Sequence, residues 1–350
     1  MKLLLGLCLI LSLRAVGQID DETPINKIQV IGSHNSYKQA IEPALFQVFE
    51  KRDSVSASKI DYEHIAITAQ LDLGLRNLEI DVYPDEAGGK YAHPKGLDLA
   101  PAQKAFDPEG KMKEPGFKIL HIPDLDFRSH YLTLNECLQD LKNWSDAHPN
   151  HTPVFITLEV KGALAKGGDG ATAQGLSAKH FDDLDKILLE KLGQDHIITP
   201  DIVRGNNETL EGAVLQNSWP SLKKSKGKYL FILDDSGAKR DLYIAGHPSL
   251  KGRTMFANAV PGTPEAGMLI RNNPKAPEIK DLVKKGYIIR TRADADTREA
   301  RMNDRSSFEA ACASGAQIIT TDYYQKSTHF KSDYSVSFDG GIYFRANPLF

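Results

Sequence analysis

The sequence predicts an α/β fold, a single TIM-type (β/α)8 barrel, and three observations support this class. Short apolar runs alternate with helical patterns along the chain, which is typical of parallel strands joined by crossover helices. Several runs are nearly continuous in Ile, Val, Leu and Phe, the composition of strands that are buried on both faces. The runs number eight, and that count favours a closed barrel over an open, doubly wound sheet.

Turn residues bound the predicted strands, and predicted helices lie between most of them. The strands are expected at residues 28–31, 75–82, 117–122, 154–160, 229–233, 254–257, 287–291 and 317–321. The helices are expected at residues 60–73, 134–147, 178–192, 276–285 and 306–314. Two segments, 84–116 and 161–175, are predicted to be long loops. Both directly follow strands, on the face where barrel enzymes carry their active sites.

The composition is that of an ordinary globular protein, with 41% hydrophobic and 25% charged residues. It excludes a disordered, collagen-like or coiled-coil chain. The 43 basic and 46 acidic side chains give a formal charge of −3, so the basic excess typical of nucleic-acid binding is absent and no nucleic-acid partner is expected. The 350 residues suffice for one barrel with insertions. No composition shift marks a boundary, so residues 18–350 are predicted to form one domain.

Residues 1–17 have the features of a secretory signal peptide. Lys2 precedes an apolar run from Leu3 to Leu13, and the small residues Ala15 and Gly17 follow it. The run is too short for a membrane-spanning helix, which needs about 20 apolar residues. We therefore expect cleavage after Gly17 and export to a periplasm or to the extracellular space.

The mature chain would keep two cysteines, Cys137 and Cys312. An exported protein can pair such residues in a disulfide. Both lie in apolar, helix-like segments far apart in sequence, however, which favours two buried free thiols.

Polar side chains suited to catalysis cluster at the predicted ends of the first four strands. They are His34, Asn35, Glu79, Asp81, His121, Glu159 and Lys161. Glu79 and Asp81 are two residues apart on one strand, so both project to the same face, and Glu159 and Lys161 repeat that step. Carboxylate and amide oxygens are the ligands that Ca²⁺ and Mg²⁺ prefer, and His is the usual proton carrier near neutral pH. Acids around an empty site would repel, so Glu79→Gln is expected to leave the metal-free fold as stable or slightly more stable.

Each of these features alone has an ordinary structural explanation. A single His at a strand end is commonly a hydrogen-bonded structural residue, and Glu79 with Asp81 could be half exposed in an antiparallel sheet. Glu159 and Lys161 could form a surface ion pair of little consequence. Their joint occurrence at the carboxyl ends of consecutive strands favours an active site, because barrel enzymes place their catalytic groups there.

The same residues, in the same order, resemble a known family. Ser33-His34-Asn35-Ser36-Tyr37, Leu78-Glu79-Ile80-Asp81, His121 and Leu158-Glu159-Val160-Lys161 are similar to the catalytic barrel of calcium-dependent phosphatidylinositol-specific phospholipases C, and most similar to the single-domain bacterial branch. Segments 289–301 and 314–323 resemble the last two strands of that branch. The resemblance covers nearly the whole mature chain, and the ordered set is far more specific than any one motif.

The resemblance implies a role for each matching residue. It makes His34 and His121 the catalytic histidines, and it implies Ca²⁺ as cofactor, with Asn35, Glu79, Asp81 and Glu159 as its ligands. Lys161 and Arg292 would meet the substrate phosphate, although Arg292 could instead pair with Asp294 at the barrel rim. Asp322, after the last predicted strand, would accept a hydroxyl of the inositol ring or cap a helix.

The implied reaction is attack of the inositol 2-hydroxyl on phosphorus, which gives inositol 1,2-cyclic phosphate and diacylglycerol. A nearby carboxylate or histidine would take the proton of the 2-hydroxyl. His34 is the better candidate for stabilising the phosphoryl transition state and His121 for protonating the leaving oxygen, although the two histidines could exchange these roles. The partner would be a phosphoinositide lipid met transiently at a membrane surface. No protein partner is implied, and a monomer is expected.

Two features depart from the family pattern, and two other functions remain open. Ile122-Pro123 follows the second histidine where the animal enzymes have glycine, and the regulatory domains of those enzymes are absent. A glycerophosphodiester phosphodiesterase uses a similar barrel, but it typically opens with His-Arg-Gly, whereas this chain has His34-Asn35-Ser36. A catalytically silent barrel that binds inositol lipids or glycans would not need both His34 and His121.

Overall fold

Eight parallel strands form the predicted barrel in the computed structural model, which describes residues 19–164 and 175–350. Around the barrel the strands follow the order β6-β5-β4-β2-β1-β9-β8-β7. A parallel bridge between Asn258 and Met268 joins the two ends of this order and nearly closes the barrel. Strands β3 and β10 lie outside it. The strands are β1 (Ile28–Ser33), β2 (Asn77–Asp85), β3 (Gly116–Ile119), β4 (Val154–Val160), β5 (Tyr229–Leu233), β6 (Phe256–Ala257), β7 (Met268–Ile270), β8 (Ile288–Arg292), β9 (Ile318–Thr321) and β10 (Phe344–Ala346).

Helices connect the strands, and additional short helices lie within the connecting segments. They are α1 (Pro43–Arg52), α2 (Ser54–Lys59), α3 (Ile67–Leu73), α4 (Lys95–Leu99), α5 (Leu134–Ala147), α6 (Ala178–Leu192), α7 (Pro200–Arg204), α8 (Leu210–Leu215), α9 (Leu222–Ser225), α10 (Ala238–Ile244), α11 (Ile279–Lys285), α12 (Arg298–Met302) and α13 (Ser306–Ser314).

The predicted helices α5, α6 and α13 have the observed bounds. A capping box begins α5, because the Thr133 side chain accepts from the Glu136 amide and the Glu136 carboxylate accepts from Thr133. The predicted helix 60–73 begins only at Ile67, and the predicted helix 276–285 begins at Ile279.

The prediction of the third strand is wrong in its place in the barrel. Strand β3 pairs antiparallel with β2, with Val82 opposite Ile119, and so forms a ribbon above the barrel rim instead of a barrel stave. Its core residues are buried, as those of a parallel strand would be, so composition could not reveal its direction. The missing stave is β7, which has only three residues and gives too short an apolar run to be recognised.

The core fills the barrel interior and the layer between strands and helices. Strands β1 and β2 approach closely at Gly32, where a Cβ atom would lie 2.3 Å from the carbonyl oxygen of Asn77. Any larger residue at this position would push the two strands apart. Strand β10 covers the start of β1 in an antiparallel pairing, with Ile28 opposite Ala346.

Cys137 and Cys312 are free thiols, as the sequence favoured, Cys137 being buried and Cys312 partly so. The predicted signal peptide, residues 1–17, and the middle of the predicted loop 161–175 lie outside the described residues. Within the described ranges, no helix has the length and apolar character needed to cross a membrane.

Candidate active site

A tight turn after β1 carries the first predicted site residues, His34 and Asn35. Asn35 has a φ of 48°, in the left-handed region that asparagine tolerates better than most residues. The turn is tied to β2 because the Ser36 amide donates to the Glu79 carbonyl and the Ser36 hydroxyl accepts from the Glu79 amide, both at 2.8 Å. The backbone therefore fixes this turn beside the acidic residues of β2.

His34 lies between two carboxylates. Its Nδ1 is 2.9 Å from Oδ1 of Asp322, and its Nε2 is 3.4 Å from Oε1 of Glu79. Burial, together with the positive charge of Arg292, lowers the pKa of His34 well below its ordinary value. The imidazole is therefore neutral at physiological pH. A neutral ring that donates its Nδ1 proton to Asp322, the nearer carboxylate, has its lone pair on Nε2.

Glu79 is buried inside the barrel and forms an ion pair across it with Arg290 on β8. Burial acts to raise the pKa of Glu79, but the positive charge nearby, chiefly that of Arg290, outweighs burial and lowers it. Arg290 also donates to the Asn272 side chain. Sequence reasoning missed Arg290, although its two-residue spacing from Arg292 on one strand is a signal that both side chains share the inner face.

Asp81 and Glu159 share the ammonium group of Lys161. The Lys161 Nζ lies 3.1 Å from Oδ2 of Asp81 and 2.8 Å from Oε1 of Glu159. Asp81 is fully buried, and neither of its oxygens accepts a hydrogen bond from the described residues. Burial raises the pKa of Asp81 to about 7, against the opposing charge of Lys161. The expectation that the acids of the metal-free site repel one another is therefore wrong, because Lys161 pairs with Asp81 and Glu159 and Arg290 pairs with Glu79.

His121 does not stand at the end of a barrel strand as predicted. It follows β3, on the ribbon above the rim. Its Nδ1 lies 2.8 Å from Oδ2 of Asp126, and its backbone is held by Tyr83, whose hydroxyl donates to the His121 carbonyl at 2.8 Å. The side chains of His34 and His121 keep 18% and 19% of their surface exposed, so both remain accessible to a substrate.

A cavity of about 490 Å³ opens between the ends of β4, β5 and β8. Arg292 lines it, and its buried Nε has no hydrogen-bond partner among the described residues. Glu159 and Asp234 face the same cavity. Burial raises the pKa of Asp234 to about 6, against the charge of Arg290. Sequence reasoning missed Asp234, although its place directly after a buried strand was a usable signal.

The structure shows the contacts of Asp322 and Asp294, two residues whose roles the sequence left open. The Asp322 carboxylate accepts from His34, so it orients the histidine. Asp294 does not pair with Arg292; instead it accepts from the Asp322 amide at 2.8 Å and from the Tyr334 hydroxyl at 3.2 Å. Arg292 therefore keeps its charge for the cavity.

Comparison with known families supports what this geometry indicates. The model of the family described as phosphoinositide phospholipase C, Ca²⁺-dependent, matches residues 23–348. The chain belongs to this family. Among curated proteins, no sequence matches it.

Two solved phospholipases C share the fold. One is the calcium-dependent phosphoinositol-specific phospholipase C of a Gram-negative Pseudomonas species, in an apo form with myoinositol. It has a TM-score of 0.53 and 18% identity over 93% of this chain and 96% of that chain. The other is the Ca²⁺-dependent phosphatidylinositol-specific phospholipase C of Streptomyces antibioticus, with a TM-score of 0.54 and 19% identity over 86% of this chain and 95% of that chain. At these identities the likeness shows the shared barrel fold.

The described residues fit the hard cation that the family description implies. The predicted donors are all oxygens, which suits calcium, and in the described part of the chain neither oxygen of the buried Asp81 carboxylate accepts a hydrogen bond. Over residues 19–164 and 175–350, no three His, Cys, Asp or Glu side chains converge as a ready metal site. Lys161 holds Asp81 and Glu159, so it is the group that a cation would displace.

Proposed function

We propose that the protein is a calcium-dependent phospholipase C that cleaves phosphatidylinositol into diacylglycerol and inositol 1,2-cyclic phosphate. One observation carries the proposal. Two accessible histidines, His34 and His121, each have Nδ1 held by an aspartate, and the positive charge of Arg292 acts on His34 at the same barrel mouth. This is the equipment that an in-line phosphoryl transfer with one proton acceptor and one proton donor requires.

His34 suits the role of proton acceptor. Its neutral ring has Nδ1 bound to Asp322, so Nε2 is free to take the proton of the inositol 2-hydroxyl. The 2-oxygen then forms its bond to phosphorus. The sequence favoured His34 for stabilising the phosphoryl transition state and left the two histidine roles open to exchange; we assign it the proton of the hydroxyl, because a ring nitrogen with a lone pair accepts a hydrogen bond.

His121 suits the role of proton donor. The bond between phosphorus and the diacylglycerol oxygen breaks, and that oxygen takes a proton from Nε2 of His121. Asp126 stays on Nδ1 throughout, so it holds the ring in one orientation and stabilises its protonated form.

Arg292 and Lys161 would bind the phosphate, Arg292 through the donors that it directs into the 490 Å³ cavity. Asn35, Glu79, Asp81 and Glu159 would hold the calcium ion. When bound, calcium neutralises phosphate charge and lowers the pKa of the coordinated hydroxyl.

We propose in addition that the protein is exported after loss of residues 1–17 and meets its lipid transiently as a monomer. The apolar run of residues 3–13 supports export. A secretion assay with and without this segment tests it: retention of the truncated chain in the cytoplasm, with processing of the full chain at Gly17, is the expected result.

A turnover assay with two substrates, each with and without Ca²⁺, tests the activity. Purified protein is given phosphatidylinositol or glycerophosphoinositol, in excess chelator and after Ca²⁺ is added back. We expect cyclic inositol phosphate to form from phosphatidylinositol, and only when Ca²⁺ is present. Preferred cleavage of glycerophosphoinositol would support the glycerophosphodiester phosphodiesterase alternative, and binding without turnover would support the silent barrel. Full turnover in chelator would overturn the calcium requirement.

A further inference from the structure

A fully buried lysine, Lys38, lies behind the barrel mouth with no contact to the reacting groups. Its ammonium donates to the carbonyl of Tyr62 at 2.7 Å and to that of Gln39 at 3.3 Å. It also lies 4.8 Å from the centre of the Tyr62 ring. A buried charge is costly unless it is paired, and the only carboxylate that pairs with it in the described ranges is Asp126, with Oδ1 at 3.2 Å.

Asp126 is the carboxylate that holds His121. Its Oδ1 faces Lys38, and its Oδ2 faces Nδ1 of His121. The backbone supports this arrangement, because the amides of His121 and Ile122 both donate to the Asp126 carbonyl, at 3.2 and 3.0 Å. The three side chains form a chain Lys38–Asp126–His121 that is buried at its first two members.

We propose that Lys38 is a positioning residue for catalysis, acting through Asp126 to set the tautomer of His121. The ammonium keeps Asp126 ionised in a dry environment, and an ionised carboxylate can only accept a hydrogen bond. In the neutral ring the proton is thereby confined to Nδ1, so the second proton, which His121 gives to the leaving oxygen, is carried on Nε2.

Lys38 also couples the two catalytic segments. It lies four residues after His34 on the same turn, while its partner Asp126 belongs to the segment of His121. One buried ion pair thus fixes the ribbon that carries the proton donor to the turn that carries the proton acceptor. This inference rests on the proposed function only in giving His121 the role of proton donor.

The chain offers a matched control in Lys118, a second lysine that is fully buried. Its ammonium donates to the backbone carbonyls of Lys111 and Glu114, so it supports a loop and touches no catalytic carboxylate. Lys38→Met and Lys118→Met remove the same charge from equally buried sites, and differ in whether His121 loses its anchor.

The test is ¹⁵N NMR of the imidazole nitrogens at a pH where His121 is neutral, with the signal assigned by its loss in His121→Ala. We expect Lys38→Met to let Asp126 take up a proton and donate it, which moves the His121 proton from Nδ1 to Nε2. On phosphatidylinositol, kcat should fall by at least about tenfold with little change in KM. Lys118→Met should leave both the tautomer and kcat unchanged, whatever it costs in melting temperature.

Asp126→Asn keeps the inference falsifiable should Lys38→Met not fold. The amide can donate to Nδ1, so the same tautomer shift is expected, with a loss of kcat at least as large. An unshifted His121 tautomer in either variant that folds would overturn the positioning role. Loss of kcat with an unshifted tautomer would mean that Lys38 is merely structural. Full activity of His121→Ala would instead refute the proposed role of His121 and leave the tautomer result standing by itself.

Discussion

The two sides of the barrel mouth differ in how their buried carboxylates are paired with positive charge. On the β8–β9–β1 side, charges are paired within the fold: Arg290 of β8 pairs with Glu79, which reaches across the barrel from β2, and Asp322 pairs with His34. On the β2–β4 side, Asp81 is fully buried without a hydrogen bond from the described residues, and one partly exposed lysine, Lys161, serves both Asp81 and Glu159.

The difference separates a pre-formed site from one that is ready to accept a ligand. The Glu79–Arg290 ion pair is buried on both partners and resists rearrangement, because breaking it leaves an uncompensated charge. Lys161 keeps 21% of its side chain exposed, so its ammonium can move to water while a cation takes its place. The β8–β9–β1 side is thus suited to hold His34 still, and the β2–β4 side to bind.

The largest expected effect is on the paired side. Glu79→Gln leaves the Arg290 guanidinium buried without its carboxylate, so we expect the metal-free protein to lose about 3–5 kcal/mol of unfolding free energy, together with its activity. This reverses the expectation drawn from the sequence, which did not identify Arg290 as the partner of Glu79. Urea unfolding in chelator measures it. A variant as stable as wild type would show that the Glu79–Arg290 pair contributes nothing.

The β2–β4 side should become less stable as pH rises. Burial raises the pKa of Asp81 to about 7, so its stabilising contribution is complete below the unfolded value near 4 and is lost as pH rises through about 7. In chelator, the wild-type protein should therefore lose unfolding free energy on the order of a few kcal/mol between these two pH values, and Asp81→Asn should not show this loss. Melting temperatures of wild type and variant across this window measure the difference. Parallel curves would refute it.

The two histidines come next in size. His34→Ala and His121→Ala should each fold and lose at least about a hundredfold in turnover, the usual scale for a general acid or base. His34 is held by Asp322, 288 residues away, and His121 by Asp126, five residues away. Turnover of phosphatidylinositol and thermal melts measure both variants. Near-full activity would remove that residue from the mechanism, and unfolding would make its role structural.

The strand count of the barrel was predicted correctly only because two errors cancelled. The sequence shows that β3 is apolar and short, but strand direction depends on its partner β2, which composition does not encode. It could not show β7, because three residues give no measurable period. Strand β5 and the long helices α5 and α6 were predicted to the residue, since each is a complete apolar pattern between clear boundaries.

The site was predictable where its chemistry is local in sequence. Residue type and spacing identify its members: His34 and Glu159 lie at strand ends, and Glu79 and Asp81 lie two residues apart inside β2. Their partners are not identified in this way: Arg290 lies 211 residues from Glu79, and only closure of the barrel brings the two together. Lys38 and Asp126 were missed because a buried ion pair between two loops leaves no periodic signal.

The smallest expected effect concerns the exchange of Lys161 for calcium. The Lys161 ammonium lies within 3.1 Å of two predicted ligands, so any cation bound there must first displace it, and solvent screens much of the cost because Lys161 is partly exposed. Lys161→Met removes this competitor, and we expect Ca²⁺ to bind about tenfold more tightly, roughly 1.4 kcal/mol. Calorimetric titration and the Ca²⁺-induced rise in melting temperature measure it without reference to turnover.

Lys179→Met, which removes an exposed lysine paired with Asp183 outside the barrel mouth, controls for the change in net charge. Equal tightening in both variants would mean that overall charge, and not displacement of Lys161, governs binding. No tightening in Lys161→Met would place the calcium ion away from Asp81 and Glu159, and would make the two sides of the mouth alike in being closed to a cation.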